Sequence, residues 1–169
     1  TLLSTPLCID PKGNEGLNPQ KTEPTNPLYS LDKQQSSLVY YDKNTIVLTM
    51  PYWVKVTNSS VEDSEVKKHS FVLSYDPEAM TASDTKLKLY ISHVVEDAGE
   101  TVTRSNFTYA YRAYSIRAAL AAFKEKTGKL PKYLELTAEI NNSKDELVDK
   151  DGKETSVERS VEYDYAFTE

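Results

Sequence analysis

From residue 38 to residue 167, apolar and polar side chains keep swapping places at every second position. That period suits strands that bury one face and wet the other, and little else. Ile46, Leu48, Met50 and Tyr52 alternate with Val47, Thr49, Pro51 and Trp53, which predicts one long strand through about Val56. Pro51 has no amide hydrogen to donate, so this strand is expected at an edge or with a bulge. Phe71, Leu73 and Tyr75 share a second strand face, ended by Asp76-Pro77. Leu87, Leu89 and Ile91 set the clearest half-buried strand, and Phe107, Tyr109 and Tyr111 share a face opposite Thr108, Ala110 and Arg112. Leu134, Leu136, Ala138 and Ile140 mark another strand. Val157, Val161, Tyr163, Tyr165 and Phe167 mark the last.

Only one segment carries a helical period. Ile116, Ala119, Leu120 and Phe123 fall on one stripe, with Ser115 as expected N-cap and Gly128 and Pro131 as stop signals. The helix is therefore placed at about 115–127. A single helix cannot supply the crossovers of a parallel sheet, so antiparallel pairing is expected. The predicted fold is mainly β: an antiparallel β-sandwich of about six to eight strands, with a barrel as second choice.

Upstream, Pro11, Pro19, Pro24 and Pro27 interrupt any ladder. Residues 1–37 read as a Pro-rich arm, either a linker or a strap, with an edge strand possible from Leu2 to Ile9; residues 38–169 form the sandwich domain. Cys8 is the only cysteine, so an intrachain disulfide and a Cys-rich metal site are excluded. Thr5-Pro6-Leu7 lacks the small residue expected before a lipidated cysteine, so Cys8 is read as a buried or interface thiol. A lipid anchor, if there is one, is expected outside this sequence. No apolar run reaches membrane-spanning length.

Twelve Tyr stand against four Phe and one Trp, a balance suited to sheets whose apolar rings carry a wet or bonded tip. The net charge of −6 is concentrated near the end, where residues 144–169 hold nine acids and four bases. No stripe of Lys and Arg runs along the chain, which argues against nucleic acid as a partner.

Candidate chemistry is sparse. Asp149, Asp151, Gly152 and Glu158 approach a calcium-loop spacing, but Leu147 occupies the first ligand position and a strand follows. A hairpin turning at Lys150-Asp151-Gly152 is the preferred reading. His69 and His93 are the only histidines, and His93 continues the inward parity of Leu87, Leu89 and Ile91. Ser92 points to the opposite sheet face, so it forms no triad with His93. Glu135 and Glu139 follow the pattern of a solvated strand face. No catalytic residue, metal ligand or cofactor is assigned, and the chain is expected not to be an enzyme. Aromatic pairs offer ligand-binding candidates: Tyr52, Trp53 and Tyr41. A second, minor core beneath the helix or the arm is the preferred alternative for such rings.

The runs Lys68-His69-Ser70-Phe71-Val72-Leu73 and Leu87-Lys88-Leu89-Tyr90-Ile91-Ser92-His93 resemble the C-terminal β-sandwich domain of the NigD-like family. The turn at Asp97-Ala98-Gly99 and the Tyr-rich strand and helix after it fit the same pattern. The resemblance covers about residues 38–169 and departs at Thr49-Met50-Pro51. It implies a small exported lipoprotein of Bacteroidetes, located in the cell envelope or extracellular, with an OB-like domain upstream. No catalytic residue comes with it. The expected function is a non-catalytic binding or structural module with a protein or glycan partner. The alternatives are a carbohydrate-binding module and a hydrolase with paired carboxylates.

Overall fold

The computed structural model describes residues 25–142 and 156–167. The Leu2–Ile9 strand, Cys8 and the Lys150-Asp151-Gly152 turn lie outside those residues. Among the described residues seven strands form two facing sheets. The first has the order β1 (Ser37–Asp42), β2 (Thr45–Val54), β5 (Asn106–Ser115). The second has the order β3 (His69–Ser74), β4 (Lys86–Val95), β6 (Tyr133–Ile140), β7 (Val157–Asp164). This is the expected sandwich.

Period two decides what lies between the sheets. Ile46, Leu48, Met50 and Tyr52 face Leu87, Leu89, Ile91, Leu134, Leu136 and Ala138, and none of these is more than 2 % exposed. The main helix, α2 (Arg117–Thr127), inserts Ile116, Ala119, Leu120 and Phe123 into the same core. It ends as predicted, with Gly128 left-handed at φ 78° and its amide donating to the Lys124 carbonyl.

Several expectations need correction. The stretch from residue 38 is a hairpin of two strands, because the Asp42 carboxylate accepts from the Asn44 amide at 2.8 Å and turns the chain. Ser115 does not cap the helix. It ends β5 opposite Thr45, and the cap position passes to Ile116, which makes no side-chain cap bond. A further short helix, α1 (Asp63–Val66), stands outside the one segment that carries a helical period. One pairing, β4 with β6, is parallel. Strand β5 crosses to the other sheet and α2 brings the chain back, so residues between β4 and β6 supply the crossover after all.

Pro51 sits in the centre strand, β2, but at a point where that strand is locally an edge. Pairing with β1 stops at Thr49, and the Pro51 carbonyl accepts from Tyr29 of the arm at 3.0 Å. On a strand the missing amide hydrogen points the same way, so the β5 ladder loses nothing.

The described part of the arm is a wedge. Asn26 bridges to His93, and Leu28 bridges to Tyr52 in one sheet and to Ile140 in the other. The Leu28 amide donates to the Glu139 carbonyl and its carbonyl accepts from the Asn141 amide. Strand β4 parts from β6 after Ile91, and the arm fills that gap. Leu28 is 0 % exposed. Replacing it with alanine, Leu28→Ala, should cost about 2–5 kcal/mol through the cavity left at the junction of the two sheets. Urea unfolding followed by circular dichroism measures this; a loss under about 1 kcal/mol would mean the wedge carries little of the fold.

Candidate functional site

Strand parity places His69 and His93 on the same inward face of neighbouring strands. Phe71 pairs with His93 and His69 with Val95, so the two histidines are diagonal neighbours. Their rings stack with centroids 5.1 Å apart, and His69 Nδ1 lies 2.8 Å from His93 Nε2. His69 Nε2 lies 2.8 Å from Glu65 Oε1, brought in by α1. Arg104 Nε donates to that oxygen at 2.6 Å, and the Lys55 amide donates to it at 3.2 Å. The other edge of the Arg104 guanidinium grips Asp97 in a fork, at 2.7 and 2.6 Å. Lys68 stands 3.7 Å from Asp97. At the far end, His93 Nδ1 faces the Pro27 carbonyl of the arm at 3.3 Å.

Counting protons assigns the tautomers. Pro27 O and the Glu65 carboxylate can only accept, and two neutral imidazoles bring two N–H groups to three contacts. The protons belong where contacts are short. His69 Nε2–H therefore donates to Glu65, and His93 Nε2–H donates to His69 Nδ1. The bare nitrogen is His93 Nδ1, at the longest contact.

Burial disfavours charge on both rings. Desolvation pushes His93 down to about 3, and the neighbouring His69 adds to the shift. His69 is also lowered, chiefly by burial, with its Glu65 bond pulling the other way. Burial alone would raise Glu65, but its bonds from Arg104 and His69 outweigh that and hold it at about 2. The two rings are 3 % and 2 % exposed. Edge-on Tyr52 and stacked Phe71 enclose them.

The sequence pointed to His93 facing inward but not to its partners. Glu65 and His69, four residues apart, were the available clue, hidden because Glu65 sits in a run of charges. Among the described residues no three His, Cys, Asp or Glu side chains group as metal ligands.

The three aromatic candidates separate. Tyr52 lies in the core at 2 % exposure, and Trp53 is 3 % exposed with Nε1 donating to the Asn141 carbonyl at 2.7 Å. Neither ring has a free face for a ligand, which corrects that expectation; the pull of core packing and of a bonded indole N–H explains it. Tyr41 is open, at 80 % exposure. The open rings lie instead on β5. Trp53 pairs with Phe107, Pro51 with Tyr109, and Thr49 with Tyr111, all on the outer face of the three-stranded sheet. Tyr29 of the arm stacks on Phe107 at 4.0 Å and meets Trp53 edge-on at 5.1 Å, forming a minor outer core. Beyond that core, Tyr109 and Tyr111 remain 40 % and 46 % exposed, with Val39 of β1 nearby on the same sheet face at 58 %.

On the other sheet's outer face lies a groove of about 410 Å³, walled by the 75–84 loop. Tyr75, Tyr90, Lys88, Glu135, Thr137 and Glu158 are among its lining. His93 points to the opposite face of β4, so the histidine and these carboxylates are not brought together.

The acid response follows from the shifts. His93 takes up its proton at about 3 when folded and at its ordinary 6.5 when unfolded, so the unfolded chain binds more protons between those values. Stability should therefore fall as pH drops from about 6.5 towards 3. Glu65, depressed from 4.5 to about 2, adds a second loss below pH 4.5. Urea midpoints between pH 8 and pH 4 check this. A His93→Gln variant should show a flatter slope between pH 6.5 and 5, and an unchanged slope would refute the histidine assignment.

Comparison with known proteins bears on the fold. No protein-family model matches the chain, and no curated protein matches it. A second solved structure, an uncharacterised protein from Parabacteroides merdae, aligns with a TM-score of 0.48 and 12 % identity over 89 % of this chain and 65 % of that one. The crystal structure of a protein from Bacteroides fragilis described as a putative lipoprotein aligns far better, with a TM-score of 0.67 and 26 % identity over 90 % of this chain and 70 % of that one. The chain thus has the fold of a lipoprotein-like protein of Bacteroides.

Proposed function

We propose that this chain is a non-catalytic interaction module of an exported, envelope-associated protein, the sandwich domain of a NigD-like lipoprotein with an OB-like domain upstream. The Bacteroides fragilis neighbour supports the compartment, and among the described residues no helix is long and apolar enough to cross a membrane. The observation that carries a binding role is the row Tyr109–Tyr111. These rings stand two residues apart on one strand, on a sheet face that the described residues cover at the Phe107 end. Exposed aromatics bring large contact area at small entropic cost, so they suit a contact face. The titratable cluster supports the non-catalytic reading, since Glu65, His69 and His93 are sealed inside and spend their bonds on one another.

A second reading is carbohydrate binding, favoured by the groove that Tyr75 and Tyr90 line together with Lys88 and Glu135. One experiment separates them. A photo-crosslinking amino acid is placed at position 109 or 111 of the full-length protein in its own cells, with position 88 for comparison. The contact-face reading expects discrete protein adducts from 109 and 111 in the envelope fraction. Adducts only from position 88, together with saturable binding on a glycan array that Tyr90→Ala abolishes, establish the carbohydrate reading instead. A protein found in the cytosolic fraction removes both.

A further inference from the structure

A second groove, of about 560 Å³, runs between α2 and the β1–β2 turn on a side of the molecule that the proposed contact face does not use. Its floor is apolar: Leu120, Ala121 and Leu130 on one side, the rings of Tyr165 and Phe167 on the other. Among the described residues the charged side chains that line it are cations. Arg117 and Lys124 lie seven residues apart on the same face of α2, about 10 Å along its axis, with Leu120 and Ala121 between them. Lys43 stands on the opposite bank. All three are exposed; Asp42, next to Lys43, accepts from the Asn44 amide at 2.8 Å, and among the described residues no carboxylate lines the groove itself. This is unusual in a chain with 26 acids and a net charge of −6. Three cations elsewhere are matched: Lys86 with Glu135 and Glu162, Arg104 with Glu65 and Asp97, Lys68 with Asp97. Among the described residues Lys43, Arg117 and Lys124 have no such partner.

We propose that this groove binds a small anionic amphiphile, a carboxylate joined to an acyl or aryl body. The head would sit against the Arg117 fork or a lysine, and the body along Leu120, Ala121 and Phe167. Phe167 is 42 % exposed and provides the apolar surface that such a body covers. The volume falls within the range of small-molecule sites, roughly 300–1,000 Å³. The floor is recessed between a helix and a turn. A lipid bilayer requires protruding apolar side chains, so the shape suits one detached molecule better than a membrane surface.

The test is titration of the folded chain with sodium decanoate below its micellar range, followed by isothermal calorimetry and by amide shifts in two-dimensional NMR. Acetate supplies the head alone and methyl decanoate the body alone. The expected result is saturable decanoate binding, with shifts centred on Leu120, Ala121 and Phe167. Affinity should weaken at least ten-fold for each half-ligand and for the Arg117→Gln/Lys124→Gln variant. Both substituted side chains are exposed, so circular dichroism should show the variant folded. Tyr109→Ala/Tyr111→Ala should bind decanoate unchanged, which keeps this site separate from the contact face. Equal binding of decanoate and methyl decanoate overturns the proposal. So does full affinity in the double Gln variant, or cosedimentation with phosphatidylglycerol vesicles without binding of monomeric decanoate.

Discussion

The sandwich depends on tyrosines that reach from one sheet to the other and end on backbone. Tyr114 of β5 donates its hydroxyl to the Phe71 carbonyl of β3 at 2.6 Å. On the opposite margin Tyr40 of β1 donates to the Asp164 carbonyl at 2.7 Å, and Tyr165 donates to the Lys43 carbonyl at 2.7 Å. A phenol ring buries as much apolar area as phenylalanine, but its hydroxyl cannot be left without a partner in the interior. Strands β3 and β7 are the edges of their sheet, and loops at the margins likewise carry carbonyls without a ladder partner. Each tyrosine answers both requirements at once, and the bond fixes how the two sheets are set against each other. Tyr40, Tyr165 and Phe167 then pack edge-on into one cluster at that margin. The excess of tyrosine over phenylalanine thus has a structural cause before it has a functional one.

Where the tyrosines do not reach, the arm and the buried charges take over. Strand β6 follows β4 only as far as Ile91 and Ala138. The backbone of His93, just beyond, would be left without partners; its carbonyl accepts from Asn26 at 2.6 Å and its amide donates to the Thr25 hydroxyl at 3.2 Å. The side-chain chain from His93 through His69 and Glu65 to Arg104 and Asp97 then ties this corner to α1 and to the loop before β5. Apolar residues of similar volume could stabilise such a corner as well. What the network adds is geometry, because each group is fixed by its neighbour's direction as well as its bulk.

Alternation made the faces of β2, β4 and β6 legible, down to the burial of Leu48, Leu89 and Leu136 at 0 %, 1 % and 2 %. It could not settle β5, where both parities carry rings. Phe107, Tyr109 and Tyr111 are the larger set, yet the core takes Ala110 and Tyr114 and lays Arg112 over the Phe71 ring at 5.1 Å. The deciding contact, the Tyr114 hydroxyl on β3, joins residues 43 positions apart. No local pattern encodes it. The parallel pairing of β4 and β6 was hidden for the same reason, since it follows from β5 leaving for the other sheet. The partners of the histidines were out of sight because Glu65 comes from α1 and Asp97 and Arg104 from the loop before β5, each of which reads as an ordinary polar turn.

That reversal on β5 is what gives the chain a surface worth attention. Had the larger rings turned inward, Tyr114 would face solvent, the bond to β3 would be lost, and the outer face would carry Ala110 and Arg112. Turning the other way secures the inter-sheet bond and leaves an aromatic row outside, where, among the described residues, Tyr29 covers the Phe107 end. The wedge at Leu28 sets how far that cover extends, because the arm enters the gap in the second sheet one residue before Tyr29 meets Phe107. Packing inside the sandwich and exposure outside it are therefore two consequences of one choice of strand parity, and the open rings need no separate device to hold them in place.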